Sequence, residues 1–238
     1  MNVGILIIGN EILSGSVADT NSTYLAKQVF ASGASLKEIA TIPDDKKVIA
    51  AKVREFSDRF DLVFTTGGIG PTHDDITYQS VALAFGLGTL LHPELERVGR
   101  KFKGEVTPAV LKLITVPEGA EPLVGGDFIW PPMRIENVVI LPGIPSLIER
   151  QRGAWRGLLP NSRFEVQELK VFCREIELAP HAEAVDLSHE SVELGSYPKI
   201  HEKPFFVLLR FTGRTRPAVD AAVTDFLSRL DPGTRTEA

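Results

Sequence analysis

Residues 65–77, TTGGIGPTHDDIT, combine glycines, hydroxyls and carboxylates at a spacing suited to binding an anion. Three glycines within four residues let backbone N–H groups approach a ligand closely and adopt positive φ. A helix is predicted directly after them, and its free N–H groups and dipole favour negative charge. We therefore expect this segment to bind phosphate. The residues expected to contact the phosphate are Thr66, Gly67, Gly68, Gly70, Pro71, Thr72 and Thr77.

Two carboxylates, Asp74 and Asp75, follow the glycines and would repel a phosphate in the absence of a cation. Mg²⁺ binds one or two carboxylates together with phosphate oxygens, so the segment predicts a metal-bridged phosphate site. Either aspartate could instead be the N-cap of the next helix. We assign Asp75 to the metal and Asp74 to the cap or to an outer-shell role. His73 is expected to be a solvated loop residue.

Three further polar segments follow predicted strands: Gly9-Asn10-Glu11, Asp44-Asp45 and Pro142-Gly143-Ile144-Pro145-Ser146. In open α/β sheets, ligands bind beyond the carboxyl ends of the strands, so these segments are expected near the glycine loop. Glu11 is either a second metal-linked or hydrogen-bonding carboxylate or a turn residue. Taken alone, Asp44 and Asp45 favour helix capping over chemistry.

Composition excludes several classes of protein. The 238 residues carry a formal net charge of −5 and a pI near 5.6, which argues against a nucleic-acid partner. No apolar stretch reaches the ~20 residues of a membrane span. The P-loop pattern G-x-x-x-x-G-K-[ST] is absent, and His73 stands where the dinucleotide-binding pattern requires its third glycine. We expect a soluble, cytoplasmic protein with no membrane partner.

Strands alternate with helices in the first part of the chain. Apolar runs predict strands at 3–8, 36–42 and 61–66, and capping residues with helical spacing predict helices at about 19–30, 44–56 and 74–85. The residues expected to face the core from the second helix are Val48, Ala51, Val53 and Phe56. This alternation predicts an α/β fold with a parallel sheet.

A polar turn, Pro160-Asn161-Ser162, predicts a boundary between domains at 1–160 and 161–238. Before it we expect helices at 93–102 and 108–113, short strands near Leu123, at 128–130 and at 138–141, and a helix that begins near Pro145. Beyond it we expect a strand at 165–178, a helix at 182–189, strands at 194–197 and 205–211, and a helix at 216–230, which together form a small α+β unit. The residues expected inward on the final helix are Val219, Val223, Phe226 and Leu227.

These motifs together resemble the amino-terminal domain of the CinA family, within the MoaB/MoeA-like molybdopterin-binding superfamily. The resemblance covers nearly the whole chain, and Thr-Thr-Gly-Gly-x-Gly-Pro-Thr-x-Asp-Asp-x-Thr is its most specific motif. The matching segments are 9–15 (GNEILSG), 19–22 (DTNS), 65–77, 116–120 (VPEGA), 141–146 (LPGIPS) and 195–198 (GSYP).

The resemblance implies a three-layer α/β/α fold with a small carboxyl-terminal α+β subdomain. It also implies a ligand that carries a pterin phosphate or a nucleotide, with Asp75 at the phosphate and metal site. CinA-type domains are associated with metal-dependent hydrolysis of ADP-ribose and related dinucleotides, and related domains are fused to FAD synthase. The NMN deamidase domain of longer CinA proteins is expected to be lacking here. Further ligand contacts implied by the matching segments are Asn10, Asp19, Asn21, Gly143, Pro145 and Ser146.

Two positions depart from the family pattern. Trp130-Pro131-Pro132-Met133 stands where the family usually has an Ala-Pro-Gly-Phe-like turn, and Leu147 stands where a glutamate usually follows Pro-Ser, with Glu149 displaced. The identity of the ligand and the retention of catalysis stay open at these positions.

Three functions remain in contention. The first is a metal-dependent pyrophosphatase acting on ADP-ribose-like or dinucleotide substrates. Asp75 and Glu11 would hold Mg²⁺, Mn²⁺ or Co²⁺, and Asp45 or Asp74 would orient the attacking water. The second is a molybdopterin-binding protein of molybdenum cofactor biosynthesis, and the third is a non-catalytic regulatory module. Because relatives often form dimers or trimers, we expect a homo-oligomer.

Overall fold

A computed structural model describes residues 1–103, 107–125 and 130–237. The chain divides into two compact units, Met1–Ser162 and Arg163–Ala238, and the division falls two residues after the predicted boundary.

The first unit is built around a six-stranded sheet. The eight described strands of this unit, six of them in that sheet, are β1 (Asn2–Ile8), β2 (Ser35–Ile42), β3 (Leu62–Thr66), β4 (Thr89–Leu91), β5 (Thr115–Pro117), β6 (Glu121–Pro122), β7 (Met133–Ile135) and β8 (Val138–Leu141). Its helices are α1 (Asn10–Leu13), α2 (Asn21–Ala31), α3 (Lys46–Arg59), α4 (Thr77–Ala84), α5 (Pro93–Lys103), α6 (Pro108–Ile114), α7 (Pro145–Arg150) and α8 (Arg152–Trp155), followed by a 3₁₀ turn at Arg156–Leu158.

The sheet has the strand order β2-β1-β3-β8-β7-β6. The first four strands are parallel, and β7 and β6 continue the sheet as antiparallel neighbours. A separate antiparallel ribbon joins β4 to β5. Because these four strands run parallel, the carboxyl ends of β1, β2, β3 and β8 lie along one edge.

Two hydrophobic cores lie on opposite faces of this sheet. Leu6 and Val63 face one core, which α3, α4 and α6 cover, whereas the alternate residues Ile5 and Phe64 face the other, which α2, α7 and α8 cover. This alternation confirms the three-layer α/β/α fold.

The second unit is an α+β subdomain. Its strands are β9 (Glu165–Val171), β10 (Val192–Lys199), β11 (Phe206–Gly213) and β12 (Thr236–Glu237), and its helices are α9 (Glu175–Ser188) and α10 (Arg216–Arg229). The strands form an antiparallel sheet in the order β10-β11-β9-β12, and both helices share a core with it. The predicted small subdomain is confirmed.

The predicted strand at 165–178 was wrong in its second half. The strand ends at Val171, and α9 begins at Glu175, where the Glu177 carboxylate accepts a hydrogen bond from the Arg174 N–H (3.2 Å). The apolar residues after the strand serve the helix instead, since Leu178 is buried from α9. The helix predicted at 182–189 corresponds to the second half of α9, which also includes Pro180.

Several helix faces and short strands also differ from prediction. On α3, Val48 is 41% exposed and Ala51 is also exposed, whereas Ile49 and Ala50 turn inward because the buried stripe follows Val53 and Phe56. On α10, Leu227 is 40% exposed while its neighbour Phe226 is buried.

The short strands β4, β5 and β7 were not predicted, because runs of three residues carry no periodicity. The strand predicted near Leu123 is β6, which ends one residue earlier. Of the strand predicted at 128–130, residues 128 and 129 lie outside the described residues, and Trp130 is in a bend. None of the helices in the described ranges is both long and apolar enough to traverse a bilayer.

Candidate functional site

Three loops meet at the carboxyl edge of the sheet, because neighbouring parallel strands end there in register. Thr66 at the end of β3 pairs with Ile7 on one side and Leu141 on the other. The Thr66 hydroxyl donates to the Pro142 carbonyl (2.7 Å). The Asn21 amide donates to the Gly143 carbonyl (2.8 Å) and to the Thr66 hydroxyl (3.1 Å). Asn21 and Thr66 therefore hold the loop after β8 against the loop after β3.

The glycine turn adopts a backbone that other residues disfavour. Gly67 has φ +102°, and a Cβ there would lie 2.0 Å from the Ile8 carbonyl oxygen. Gly68 has φ +62°, and a Cβ there would lie 2.4 Å from the Thr77 hydroxyl. Thr77 closes the turn, because its hydroxyl donates to the Gly67 carbonyl (2.8 Å) and its N–H to the Gly68 carbonyl (3.0 Å). The start of α4 is therefore fixed to the turn.

The two aspartates fold back onto Thr72 and do not cap α4. The Thr72 N–H donates to Asp75 Oδ2 (2.8 Å), and the Thr72 hydroxyl lies within hydrogen-bond reach of Asp75 Oδ2 and of Asp74 Oδ1 (2.6 Å). Ile76 stands at the N-cap position without a side-chain cap bond. The expectation that either aspartate is an N-cap was wrong, since their carboxylates serve the turn itself.

The electrostatics of this turn favour the ionised form of Asp74. The Thr72 hydroxyl, followed by the backbone N–H of Asp74 itself and the charges of His73 and Lys112, lowers the pKa of Asp74. Lys112 on α6 also donates to the Thr72 carbonyl. Sequence reasoning missed Lys112, and no motif pointed to it because it lies on a separate helix.

Other predicted residues have local roles at the same edge. Asp45 caps α3 and accepts from the N–H groups of Lys47 (2.9 Å) and Val48 (3.0 Å). Asp44 accepts from the Asn10 N–H (2.8 Å), which joins the loop after β2 to the loop after β1. The structure thus shows Asp45 as a helix cap, in agreement with the capping role that its sequence context favours.

A small pocket of about 120 Å³ includes the first glycine of the turn, Gly67, in its lining. It brings together most of the residues that the resemblance implied outside the 65–77 segment. These are Asp19, Asn21, Gly143 and Pro145. The carboxylate candidate Glu11 and the turn residues Thr66 and Gly67 line the same pocket. Asp19 is also engaged locally, since its Oδ1 accepts from the Ser22 N–H (2.9 Å). Ser146 lies in the first turn of α7 and Asn10 at the start of α1.

A larger apolar pocket of about 420 Å³ lies beside the same loop. It shares Gly143 with the small pocket and includes Gly70 and Pro71 of the glycine loop. Both departures from the family pattern, Trp130 and Leu147, line it. Sequence reasoning missed this pocket, because its walls come from several separate segments of the chain.

The carboxylates near the turn are suited to sharing a metal with a ligand. Within the described residues, no three His, Cys, Asp or Glu side chains are grouped to hold a metal ion. Glu11 lies in the small pocket, whereas Asp75 packs against Gly70. Mg²⁺ needs only one or two carboxylates when phosphate oxygens supply other ligands. Asp74 and Asp75, joined through Thr72, fit that requirement.

Comparison with known proteins matches each unit to a family model. Residues 4–154 match the probable molybdopterin binding domain. Residues 163–237 match the middle domain of FAD synthase.

Similar proteins span both units. A protein from Archaeoglobus fulgidus is 36% identical over 228 residues, which cover 95% of this chain and 97% of that protein. A CinA-like protein from Citrifermentans bemidjiense is 32% identical over 97% of this chain, which spans 58% of that protein's length.

Among solved structures, the protein CinA of unknown function from Thermoplasma acidophilum matches with a TM-score of 0.62 and 27% identity. The match covers 67% of this chain and 99% of that one. The chain therefore belongs to the CinA-like family of proteins built on the probable molybdopterin-binding domain.

Proposed function

We propose that the first unit binds a nucleotide or pterin phosphate at the carboxyl edge of its sheet. With a divalent cation, it would hydrolyse the diphosphate of an ADP-ribose-like or dinucleotide substrate. The observation that carries this proposal is the 67–75 turn. Two glycines with positive φ and two carboxylates occupy one short loop there. Thr77 and Lys112 both donate hydrogen bonds to carbonyl groups of this loop.

The turn offers complementary groups to a diphosphate. The carbonyls of Gly67 and Gly68 accept bonds from Thr77, and the Thr72 N–H donates to Asp75. We therefore assign the phosphate oxygens to the N–H groups at 68–70. The ammonium group of Lys112 adds positive charge beside the same loop. Asn21 holds the loop that contains Gly143 next to the glycine turn, so the ligand would bind beside both loops.

Asp74 and Asp75 would hold Mg²⁺, Mn²⁺ or Co²⁺ together with phosphate oxygens of the substrate. This pair differs from the pair predicted from the sequence, Asp75 and Glu11, because Asp74 and Asp75 meet at Thr72 whereas Glu11 lines the small pocket. The bound ion would neutralise the diphosphate and lower the pKa of a coordinated water. Thr72 positions both carboxylates, and its hydroxyl lowers the pKa of Asp74, which favours the ionised form that a metal ion would bind. In the hydrolysis, water adds to one phosphorus and the P–O–P bond breaks, so ADP-ribose gives AMP and ribose 5-phosphate.

A second candidate function is binding of molybdopterin for cofactor biosynthesis, which the family model for residues 4–154 favours. The same turn would then bind the phosphate of the pterin without hydrolysis. A third, a non-catalytic module, is favoured by Leu147 at the position where the family usually has a carboxylate.

Thermal unfolding with a ligand panel separates these functions. Metal-stripped protein is mixed with ADP-ribose, FAD, NAD, ATP or oxidised pterin phosphate, with and without Mg²⁺, Mn²⁺ or Co²⁺, and AMP is assayed. A ligand that binds only the folded state raises the melting temperature. A rise with AMP release supports the pyrophosphatase. A rise with the pterin alone supports the molybdopterin function, and no rise with any ligand supports the module.

The Asp75→Asn variant tests the catalytic assignment. We expect AMP release to fall about 10- to 100-fold, as is typical when a group that supports a metal site is lost. Asp58→Asn is the control, because Asp58 lies on α3 and pairs with Arg54 on the surface. Full activity in Asp75→Asn would remove Asp75 from the mechanism.

A further inference from the structure

The larger pocket has the size and lining of a site for an organic ring. Its volume of about 420 Å³ falls within the ~300–1,000 Å³ of small-molecule sites. Leu113, Leu147 and Ile144 provide apolar walls, and Trp130 and Tyr78 provide aromatic ones. Ile144 is 57% exposed, which leaves a large apolar side chain in contact with water.

A buried polar group accompanies these apolar walls. Gln151 is only 2% exposed and lines the pocket. Its amide nitrogen donates to the Trp130 carbonyl (2.7 Å), which fixes the orientation of the side chain. Its Oε1 is buried and has no hydrogen-bond partner among the described residues. A buried acceptor without a partner costs free energy, so a donor supplied by a ligand would satisfy it.

Tyr78 is the second polar group of this pocket. Burial raises the pKa of its hydroxyl strongly, and the neighbouring Trp130 side chain opposes this only in part. The hydroxyl therefore stays protonated. Among the described residues, no group lies at hydrogen-bond geometry to the Tyr78 hydroxyl.

The pocket is continuous with the proposed phosphate site. Gly70 and Pro71 of the glycine loop line it, and Gly143 lines both this pocket and the small one. A Cβ on Gly143 would lie 3.4 Å from the Gly67 Cα, so the two loops pass close to each other here. A ligand with a phosphate at the turn would have the apolar pocket directly beside that phosphate.

We propose that this pocket binds the fused aromatic heterocycle of the ligand whose phosphate lies at the 67–75 turn. The inference rests on the proposed function for the position of the phosphate. The ring would stack against Trp130 and contact Leu147, and a ring N–H would donate to Gln151 Oε1. Flavin, pterin and adenine all carry ring or amino N–H groups, so they share this chemistry. Trp130 and Leu147, the two departures from the family pattern, would therefore both contact the ring.

Binding measurements with monophosphates test the proposal without turnover. The affinities of FMN, 6-hydroxymethylpterin phosphate, AMP and ribose 5-phosphate are measured by calorimetry on the full chain. We expect at least one heterocyclic phosphate to bind at least tenfold more tightly than ribose 5-phosphate, and the heterocycle that does so identifies the ligand.

Leu147→Glu is the decisive variant. It should weaken the preferred heterocyclic phosphate at least tenfold, because a carboxylate would enter the apolar wall, and leave ribose 5-phosphate unchanged. Leu83→Glu is the matched control, since Leu83 is exposed on α4 and is not among the lining residues. Trp130→Leu, which removes the stacking surface and keeps the wall apolar, is a second variant in case Leu147→Glu unfolds.

The outcomes separate the two proposals. Equal affinities for ribose 5-phosphate and all three heterocyclic phosphates, or a Leu147→Glu variant that folds and keeps its ring affinity, would overturn the ring pocket alone. Binding of riboflavin, adenosine or the unphosphorylated pterin with no binding of ribose 5-phosphate would keep the ring pocket and overturn the phosphate site. No binding of any of these compounds would overturn both.

Discussion

At the scale of single residues, the site depends on a few positions that nothing else can replace. Gly67 is the clearest, since its φ is positive and the Ile8 carbonyl occupies the space where a Cβ would stand. Asn21 is another, because its one amide group joins the Thr66 hydroxyl and the Gly143 carbonyl. Gly67 and Asn21 both fix the positions of the loops: Gly67 allows the close approach to Ile8, and Asn21 bonds to the Gly143 carbonyl.

Gly67→Ala should lower the free energy of unfolding by more than about 2 kcal/mol, because it adds a clash to the cost of positive φ. Gly15→Ala is the control. Gly15 also has positive φ (+73°), but no atom lies within 4 Å of the point where its Cβ would stand, so only the backbone cost of about 1–2 kcal/mol applies. Urea unfolding measures both variants. Equal losses would show that the contact with Ile8 does not matter.

Thr72→Val should raise the pKa of Asp74 towards its ordinary value of 3.8, because the hydroxyl is the largest cause of the lowered value. When folding lowers the pKa of a carboxyl group, the folded protein is stabilised at pH values above the ordinary pKa of that group. This stabilisation is lost as the pH falls through the pKa of the folded state. The stability difference between the parent and the variant should therefore shrink in acid. An NMR titration of the Asp74 carboxyl carbon measures the shift, and an unchanged pKa would contradict the role of Thr72.

At the scale of elements, the loops after β2 and β3 contain residues that both begin the next helix and bond to a neighbouring loop or turn. Thr77 starts α4 against the glycine turn, and Asp45 starts α3 beside the loop after β1, to which its neighbour Asp44 is bonded. Capping and site construction therefore use the same polar segments. This explains why capping and catalysis were hard to separate for Asp45 in the sequence.

Asp45→Ala should lower the stability by about 1 kcal/mol through loss of the N-cap, and Asp45→Asn should keep most of it because asparagine also caps well. Chemical denaturation compares the two. Loss of AMP release in Asp45→Asn without loss of stability would instead support a catalytic role for this carboxylate.

At the scale of the whole molecule, two units with separate cores occupy one chain. The first has a core on each face of its sheet, and the second has a single core between its antiparallel sheet and its two helices. Both units have the buried apolar surface that an independent core requires. The proposed phosphate and ring sites both lie within the first unit.

We predict that the chain forms a homo-oligomer in solution. Sedimentation equilibrium should give a mass of at least twice the 26.0 kDa of one chain. Exposed leucines such as Leu90 and Leu91 on β4 are consistent with burial of further apolar surface. A mass of one chain across the concentration range would contradict this prediction.

Local sequence determined the elements that carry strong periodicity and the loops between them. The apolar runs of β1 and β3, the Asp45 cap of α3 and the tight glycine turn were predictable, because each depends on residues close together in the chain. The three-layer fold followed from the alternation of strands and helices. The three-residue strands and the start of α9 did not, because their signals are too short or are shared with a neighbouring element.

Only the tertiary structure decided which loops share a site and what surrounds them. The contact between Lys112 and Thr72, and the wall formed by Trp130, Leu147 and Gln151, join segments far apart in the chain. Each of those residues alone is typical of a surface helix or a core. The strand order of the sheet and the packing of the helices bring these residues together. The spacing of residues along one sequence does not indicate the distances between helices and strands in space.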